Sequence, residues 1–359
     1  HVVANAASAV AQGAPRMSTL HPETPGAAPR RRTPHWSAIG EATCVWGIWL
    51  LYGLYRAFGR LLFRVVMYPV VVYFWLAYPL ARRSSMEYLA RVEAATGAIG
   101  TQPTWRQSLR HLFSFGDTML DKLLAIGGRY RFEHVSKEGG DVLLRQIASG
   151  RGGIIMTAHV GCLELCRAMA NRLNGLRLTV LVHSAPAERF NRILARLDPD
   201  SMLQLYQIDD ISPATALELS ARVEAGEFVA LAGDRAPAHG GRAVRVPFLG
   251  QPARFPVGPY VLASLLKCPL YAMGCVREGR GHLIRFTELE RVVTLPRATR
   301  EARLQALAAT YARWLEDLVA RSPYDWFNFY DFWADDPISI GRRDMQQPAQ
   351  ERDAKNPES

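Results

Sequence analysis

The stretch IIMTAHVGCLELCRAMANRL, residues 154–173, decides how this chain folds. Its first six residues form a short apolar run, and the residues after Gly161 repeat apolar side chains at helical spacing. A buried strand that leads directly into a helix is typical of an α/β unit. His159 falls where the predicted strand ends, and Glu164 falls in the first turn of the predicted helix.

The alternation of strands and helices continues after this unit. Four more apolar runs predict strands, at 178–184, 228–234, 269–276 and 282–288. Helical patterns separate most of them, and a long amphipathic pattern over 299–322 closes the series. The sequence therefore predicts an α/β fold with a largely parallel central sheet flanked by helices.

The chain before this unit contains a very apolar segment. Residues 36–83 hold two apolar runs in which tryptophan and tyrosine recur, as they do at membrane–water interfaces. Arg56, Arg60 and Arg64 recur every four residues, which predicts one cationic face on a helix. We expect a helical membrane anchor that spans the bilayer or dips into one leaflet. A buried hairpin of a soluble protein is the alternative.

These patterns divide the chain into four parts. The two terminal parts consist of small or polar residues without periodicity, so we expect them to be disordered. The parts are the disordered start at 1–35, the anchor at 36–83, a domain at 84–337 that is helical over 84–128 and α/β over 129–337, and the disordered tail at 338–359.

The composition favours a negatively charged partner. The 359 residues carry a formal net charge of +10, which suits a phospholipid surface, a nucleic acid or an acidic protein. Many of the cations lie beside the apolar segment or in the terminal parts, and no nucleic-acid-binding motif occurs, so we expect no nucleic-acid partner. The five cysteines have neither disulfide-framework nor zinc-ligand spacing, so we expect no metal site.

His159 and Glu164 are the candidate catalytic pair. Strand ends line the ligand crevice of open α/β sheets, and a turn at the helix start can bring the carboxylate to the imidazole. The carboxylate would fix the ring tautomer, and the imidazole would act as a general base. The pattern H-x4-E is common by chance, so a structural histidine with an unrelated surface glutamate is the alternative interpretation.

Three blocks of sequence carry a resemblance to a known family. They are AHVGCLE at 158–164, LAGDR at 231–235 and VPFLGQPARFPVGPYVLAS at 246–264. With the apolar segment ahead of them, their order and spacing over residues 40–333 resemble the late lipid A acyltransferases, the lauroyl and myristoyl transferases of Gram-negative inner membranes. The resemblance implies a glycerolipid-acyltransferase-like fold with an N-terminal helical membrane anchor.

The resemblance also implies a reaction. A fatty acyl group would move from acyl carrier protein, or from acyl-CoA, to a hydroxyl of a lipid or glycolipid acceptor, without a further cofactor. His159 would be the general base and Glu164 its partner. The protein would lie at the bacterial inner membrane with its domain facing the cytoplasm. A non-catalytic membrane lipid-binding protein and a thioesterase or lipid hydrolase are the alternatives, although no G-x-S-x-G elbow follows a strand.

Four further positions are implied as substrate-binding. Asp234 and Arg235 would lie in the same crevice as His159, or form a local surface ion pair. Arg254 would offer a cation to a phosphate or a carrier headgroup, or be a solvated loop charge. Gly258 would allow close approach at a helix start, or occupy a turn that needs a positive φ.

The chain departs from the family at several points. Arg235 stands where many lipid A enzymes have glutamine, and Phe255 where many have threonine. The stretch SPYDWFNFYDFW at 322–333 is similar instead to a sister branch associated with aryl-polyene-type pigment lipids. It would either line an acceptor groove or pack the closing helix against the sheet. These departures leave the identity of the acceptor open.

Overall fold

The computed structural model describes residues 41–172, 176–182, 203–207, 213–235 and 242–334. Both predicted disordered parts, at 1–35 and 338–359, lie outside these ranges. Of the described residues, 41–48 belong to one unit, and those from Trp49 onward belong to a second unit that contains the sheet.

Helices flank the sheet and precede it in the chain. In the described ranges they are α1 (Glu41–Ala77), α2 (Pro79–Thr96), α3 (Trp105–Ile126), α4 (Gly140–Ala148), α5 (Leu163–Arg172), α6 (Pro213–Glu224), α7 (Gly258–Leu265) and α8 (Arg300–Arg321). The strands there are β1 (Val135–Glu138), β2 (Ile154–Thr157), β3 (Arg177–Val182), β4 (Leu203–Gln207), β5 (Glu227–Ala232), β6 (Ala243–Phe248), β7 (Gln251–Pro256), β8 (Leu270–Glu278) and β9 (Gly281–Glu290).

Seven of these strands form one central sheet in the order β1-β9-β8-β2-β5-β3-β4. Neighbouring strands are parallel except β8 and β9, which pair as an antiparallel hairpin. The predicted α/β fold with a largely parallel sheet is therefore confirmed. A separate antiparallel hairpin of β6 and β7 was not predicted, and it covers part of the block at 246–264.

Strand β2 lies in the middle of the sheet, and both of its faces are buried. Ile154 and Met156 belong to one core cluster, and Ile155 belongs to the cluster on the other face. Continuous apolar runs are expected of parallel strands that have helices on both sides. Tyr311 of α8 covers the first face, and Leu165 of α5 covers the second. Strand β2 pairs with β5 on one side and with β8 on the other.

Helix α1 is broken near its middle. Gly59 has φ 77° and ψ −173°, which lies outside the helical region and is accessible to glycine. The segment Tyr52–Ala77 is long and apolar enough to cross a membrane by length and composition. One side of it packs on α3 through Phe63, Met67 and Val71. The opposite side exposes large apolar side chains.

Two of the three arginines predicted to share one face of α1 pair with aspartates of α3. The guanidinium of Arg60 lies 2.8 Å from Asp121, and that of Arg64 lies 2.7 Å from Asp117. Arg277 of β8 reaches both aspartates, at 2.6 and 2.9 Å. Both aspartates are buried on α3, and an unpaired buried charge is costly, so the arginines balance their charge. Arg56 is exposed.

Candidate active site

His159 and Asp234 meet at the carboxyl edge of the sheet. Strands β2 and β5 are parallel neighbours, with Thr157 opposite Ala232. Each functional residue follows its strand by two positions, so both lie at the same edge. Nδ1 of His159 is 2.9 Å from Oδ1 of Asp234. The predicted placement of Asp234 beside His159 at the end of a second strand agrees with this geometry.

The Asp234 carboxylate is buried and held by three donors. Its Oδ1 accepts from the His159 ring. Its Oδ2 accepts from the His159 main-chain N–H at 2.8 Å and from Nε1–H of Trp326 at 2.9 Å. Burial raises the pKa of Asp234, but the charge and hydrogen bonds of His159 and the charge of Arg235 outweigh it and lower the pKa to about 2. The carboxylate is therefore ionised at neutral pH.

This carboxylate determines which nitrogen of His159 carries the proton. An ionised carboxylate only accepts hydrogen bonds, so Nδ1 of the neutral ring is the protonated nitrogen. The lone pair of Nε2 is then free to take a proton. The His159 side chain is 38% exposed, whereas that of Asp234 is 1% exposed. His159 is thus a base that faces solvent, and Asp234 is the buried anion that binds the other side of its ring.

The prediction that Glu164 lies against the imidazole is wrong. Gly161 has φ +54°, and a Cβ there would come within 1.7 Å of the Cys275 carbonyl oxygen, so the backbone just before α5 packs closely against β8. Glu164 stands in the first turn of α5, as predicted, but its Oε1 lies 3.3 Å from Nζ of Lys122 on α3. The place expected for Glu164 on the imidazole ring is taken by Asp234.

The segment after α8 forms the second wall of the site. Phe327 N–H donates to the His159 carbonyl at 2.8 Å, and Gly161 N–H donates to the Asp325 carbonyl at 2.8 Å. Val160 and Trp326 form an antiparallel bridge. The stretch at 322–333 therefore packs directly on the loop that carries His159. Sequence reasoning assigned no role to Trp326, although its position in an aromatic stretch unlike that of the lipid A enzymes was a signal.

Arg235 lies at the same edge of the sheet and contacts this wall. Its Nη2 donates to the Phe327 carbonyl at 3.2 Å, and its guanidinium lies 5.5 Å from the ring centroid of Tyr330. The hydrogen bonds of Asp234 go to His159 and Trp326, so a simple surface ion pair of Asp234 with Arg235 does not describe the geometry.

The structure does not bring the other two predicted positions into this contact network. Arg254 lies on β7 opposite Arg245. Gly258 is the first residue of α7, and its φ is not positive. A Cβ at Gly258 would meet nothing within 4 Å, so neither a positive-φ turn nor close packing inside the protein requires glycine there. The described contacts of His159 and Asp234 include neither residue.

The arrangement is suited to proton transfer from a hydroxyl. A partly exposed imidazole with a buried, ionised carboxylate behind the ring is the arrangement that activates a weak oxygen nucleophile. Among the described residues, His, Cys, Asp and Glu side chains form no group of three that is arranged to hold a metal ion.

Comparison with known proteins places the chain in a family. A search of curated proteins gives no match. A family model described as "Bacterial lipid A biosynthesis acyltransferase" matches residues 116–334, more than half of the chain. The match includes the ends of β2 and β5, the stretch at 322–333 that contains Trp326, and the hairpin of β6 and β7. The chain therefore belongs to the bacterial lipid A biosynthesis acyltransferase family and is an O-acyltransferase.

Proposed function

We propose that the protein transfers a fatty acyl group from a thioester donor to a hydroxyl of a lipid or glycolipid at a membrane surface, with His159 as general base and Asp234 as its partner. The observation that carries the proposal is the 2.9 Å hydrogen bond between Nδ1 of His159 and the buried Asp234. It leaves Nε2 of an exposed imidazole as the proton acceptor.

The reaction requires one base and no enzyme nucleophile. Nε2 of His159 removes the proton as the acceptor oxygen attacks the thioester carbonyl. Collapse of the tetrahedral intermediate breaks the carbon–sulfur bond, and the imidazolium returns the proton to the departing thiolate. The products are the ester and the free thiol. Asp234 stabilises the imidazolium in the interval, because its charge lies against Nδ1.

The donor we favour is acyl carrier protein, with acyl-CoA as the second candidate. The net charge of +10 favours association with an acidic carrier through electrostatic steering. Thioesters of either kind are made in the cytosol, so we assign the domain to the cytoplasmic side of the bacterial inner membrane.

Membrane association is proposed from the outer side of α1. Leu61 is 79% exposed and Tyr73 is 64% exposed, and both lie on a helix whose other side packs on α3. A contiguous exposed apolar face marks a membrane or protein contact. Because α1 has one face on the domain, we favour a helix that lies in one leaflet over a helix surrounded by lipid.

The reaction is tested with acyl carrier protein carrying a radiolabelled acyl group and a lipid A precursor as acceptor. Wild-type protein is expected to form a labelled, organic-extractable ester, and His159→Ala is expected to form none. His134→Ala, at an exposed histidine, is the matched control and should keep full activity. Full transfer by His159→Ala would overturn the proposal. Release of free fatty acid without a lipid product would support the hydrolase instead.

The membrane contact is tested by flotation with phospholipid vesicles. A Leu61→Glu and Tyr73→Glu double variant should lose vesicle binding, because two charges would enter the apolar face. Leu217→Glu changes a side chain that is 74% exposed on α6, and it should bind like the wild type. Unchanged vesicle binding by the double variant would exclude this face as the contact.

A further inference from the structure

His111 is fully buried on α3 and has a partner on each ring nitrogen. Its Nδ1 lies 3.0 Å from Oγ of Ser85, and its Nε2 lies 2.9 Å from the carbonyl oxygen of Trp326. Burial lowers the pKa of His111 to about 4, although the Trp326 carbonyl acts in the opposite direction, so the ring is neutral at neutral pH. A carbonyl only accepts, so Nε2 carries the proton.

The hydrogen bonds on the other side of His111 run in one direction. Because Nδ1 is an acceptor, Ser85 donates to it, and Ser85 in turn accepts from Ser108 at 3.0 Å. Ser108 accepts from the indole N–H of Trp75 on α1 at 3.1 Å. Each hydroxyl proton is used once, so the tautomer of His111 is fixed from both ends.

The peptide unit between Trp326 and Phe327 joins His111 to His159. Its carbonyl accepts from Nε2 of His111, and its N–H donates to the main-chain carbonyl of His159 at 2.8 Å. The two histidines thus bind opposite edges of this planar peptide unit. Tyr88 packs against both His111 and Trp326, with ring centroids 5.2 and 5.0 Å away.

We propose that His111 is a positioning residue for acyl transfer, which orients the 326–327 peptide and thereby holds the His159 main chain and the Trp326 indole against Asp234. The inference rests on the proposed role of His159 as base. His111 has no exposed surface, so it acts through these neighbours and not on the substrate. A displacement of the base by about 1 Å costs on the order of 100-fold in rate.

Two amide variants separate the positioning role from simple packing. Glutamine reaches the position of Nε2 and keeps a donor for the Trp326 carbonyl, whereas asparagine is too short to do so. We expect His111→Gln to keep kcat within about threefold of wild type, and His111→Asn to lose at least about tenfold in kcat with KM little changed. Both are measured per folded protein in the transfer assay with radiolabelled acyl carrier protein.

Two more variants control for a general loss of stability and for a failure of His111→Asn to fold. Leu143→Ala removes a buried side chain of α4 in the other core cluster, so it lowers stability but should leave kcat unchanged. Where His111→Asn does not fold, Ser85→Ala replaces it, and its kcat should fall by at least about threefold because the ring loses the hydrogen bond at Nδ1 that helps to hold its orientation.

The failure of this inference differs from the failure of the proposed function. Wild-type kcat in His111→Asn or Ser85→Ala, or equal losses in His111→Gln and His111→Asn, would overturn the positioning role while His159→Ala stays inactive. Full transfer by His159→Ala would overturn the proposed base, and the positioning role with it.

Discussion

The indole N–H of Trp326 donates to the same oxygen of Asp234 that accepts the main-chain N–H of His159, at 2.9 and 2.8 Å. One carboxylate oxygen thus fixes the backbone of the base, and the other fixes its ring. The partner of the base is consequently anchored by a residue that lies 92 positions later in the chain. Loss of any one donor should loosen the pair.

Trp326→Phe keeps an aromatic ring in the core and removes the donor to Asp234. We expect kcat to fall by about tenfold because the carboxylate is less well held. The free energy of unfolding should fall by about 1.5 to 3 kcal/mol, the range for a hydrogen bond to a charged group. Enzyme kinetics and urea unfolding measure the two effects.

The matched control for this variant is Trp333→Phe. Nε1 of Trp333 is buried and has no hydrogen-bond partner in the described part of the chain, so its loss should leave kcat unchanged. Equal losses of kcat in both variants would argue that the bond to Asp234 has no special role.

Asp234→Asn and Glu164→Gln distinguish the two carboxylates through their effects on kcat. Asp234→Asn removes the charge that stabilises the imidazolium of His159, so kcat should fall by at least about 100-fold. Glu164 contacts Lys122 and not the ring, so Glu164→Gln should keep kcat within about threefold of the wild type. Steady-state kinetics measure both effects, and a large loss with Glu164→Gln and none with Asp234→Asn would reverse the assignment.

Disruption of the buried ion cluster between α1, α3 and β8 should destabilise the fold. Asp121 has no exposed side-chain surface and lies between Arg60 and Arg277. Asp121→Asn removes one of the two aspartates that these cations share and leaves Asp117 as the other, and we expect a loss of about 3 kcal/mol in the free energy of unfolding. Chemical denaturation measures it. Asp141→Asn, in an exposed pair with Arg145, should have no measurable effect.

Acid should destabilise the fold through its buried histidines. Burial lowers the pKa of His111 and His282 to about 4, from an ordinary value of 6.5; the charge of Arg277 adds to the effect at His282. The unfolded chain binds more protons between these values, so stability present above pH 6.5 is lost as the pH falls toward 4. The thermal midpoint should fall over that range.

His111→Gln removes one of the two groups, so its thermal midpoint should depend less on pH. His134 is exposed, and His134→Gln should follow the wild-type curve. A curve for His111→Gln as steep as that of the wild type would show that His111 is not held neutral by burial.

Local patterns in the sequence predict much of the fold. The buried run of β2, its passage into α5 and the alternating strands after it follow from short-range periodicity. The family resemblance implied that Asp234 lies in the same crevice as His159, and the parallel pairing of β2 and β5 brings the two strand ends to one edge. Short strands such as β1 and β4 were not predicted, since their pairing partners, rather than their own few residues, define them.

The errors concern contacts between residues far apart in the chain. The spacing of Arg60 predicted a cationic helix face, but it could not show that the guanidinium pairs with Asp121 of α3, 61 positions later. Glu164 stands in the predicted turn of the helix, but its carboxylate pairs with Lys122 on a neighbouring helix. Neither partner is visible in the local sequence, so a periodic pattern could not have chosen them.

The most direct measurement is a single turnover of His159→Ala. The enzyme is in excess over acyl carrier protein that carries a radiolabelled acyl group, and the lipid A precursor is at saturating concentration. Removal of the base should slow ester formation by at least about 100-fold while leaving donor binding unchanged, because His159 acts on the acceptor proton. Ester formation within about twofold of the wild-type rate would contradict the assignment of His159 as the base.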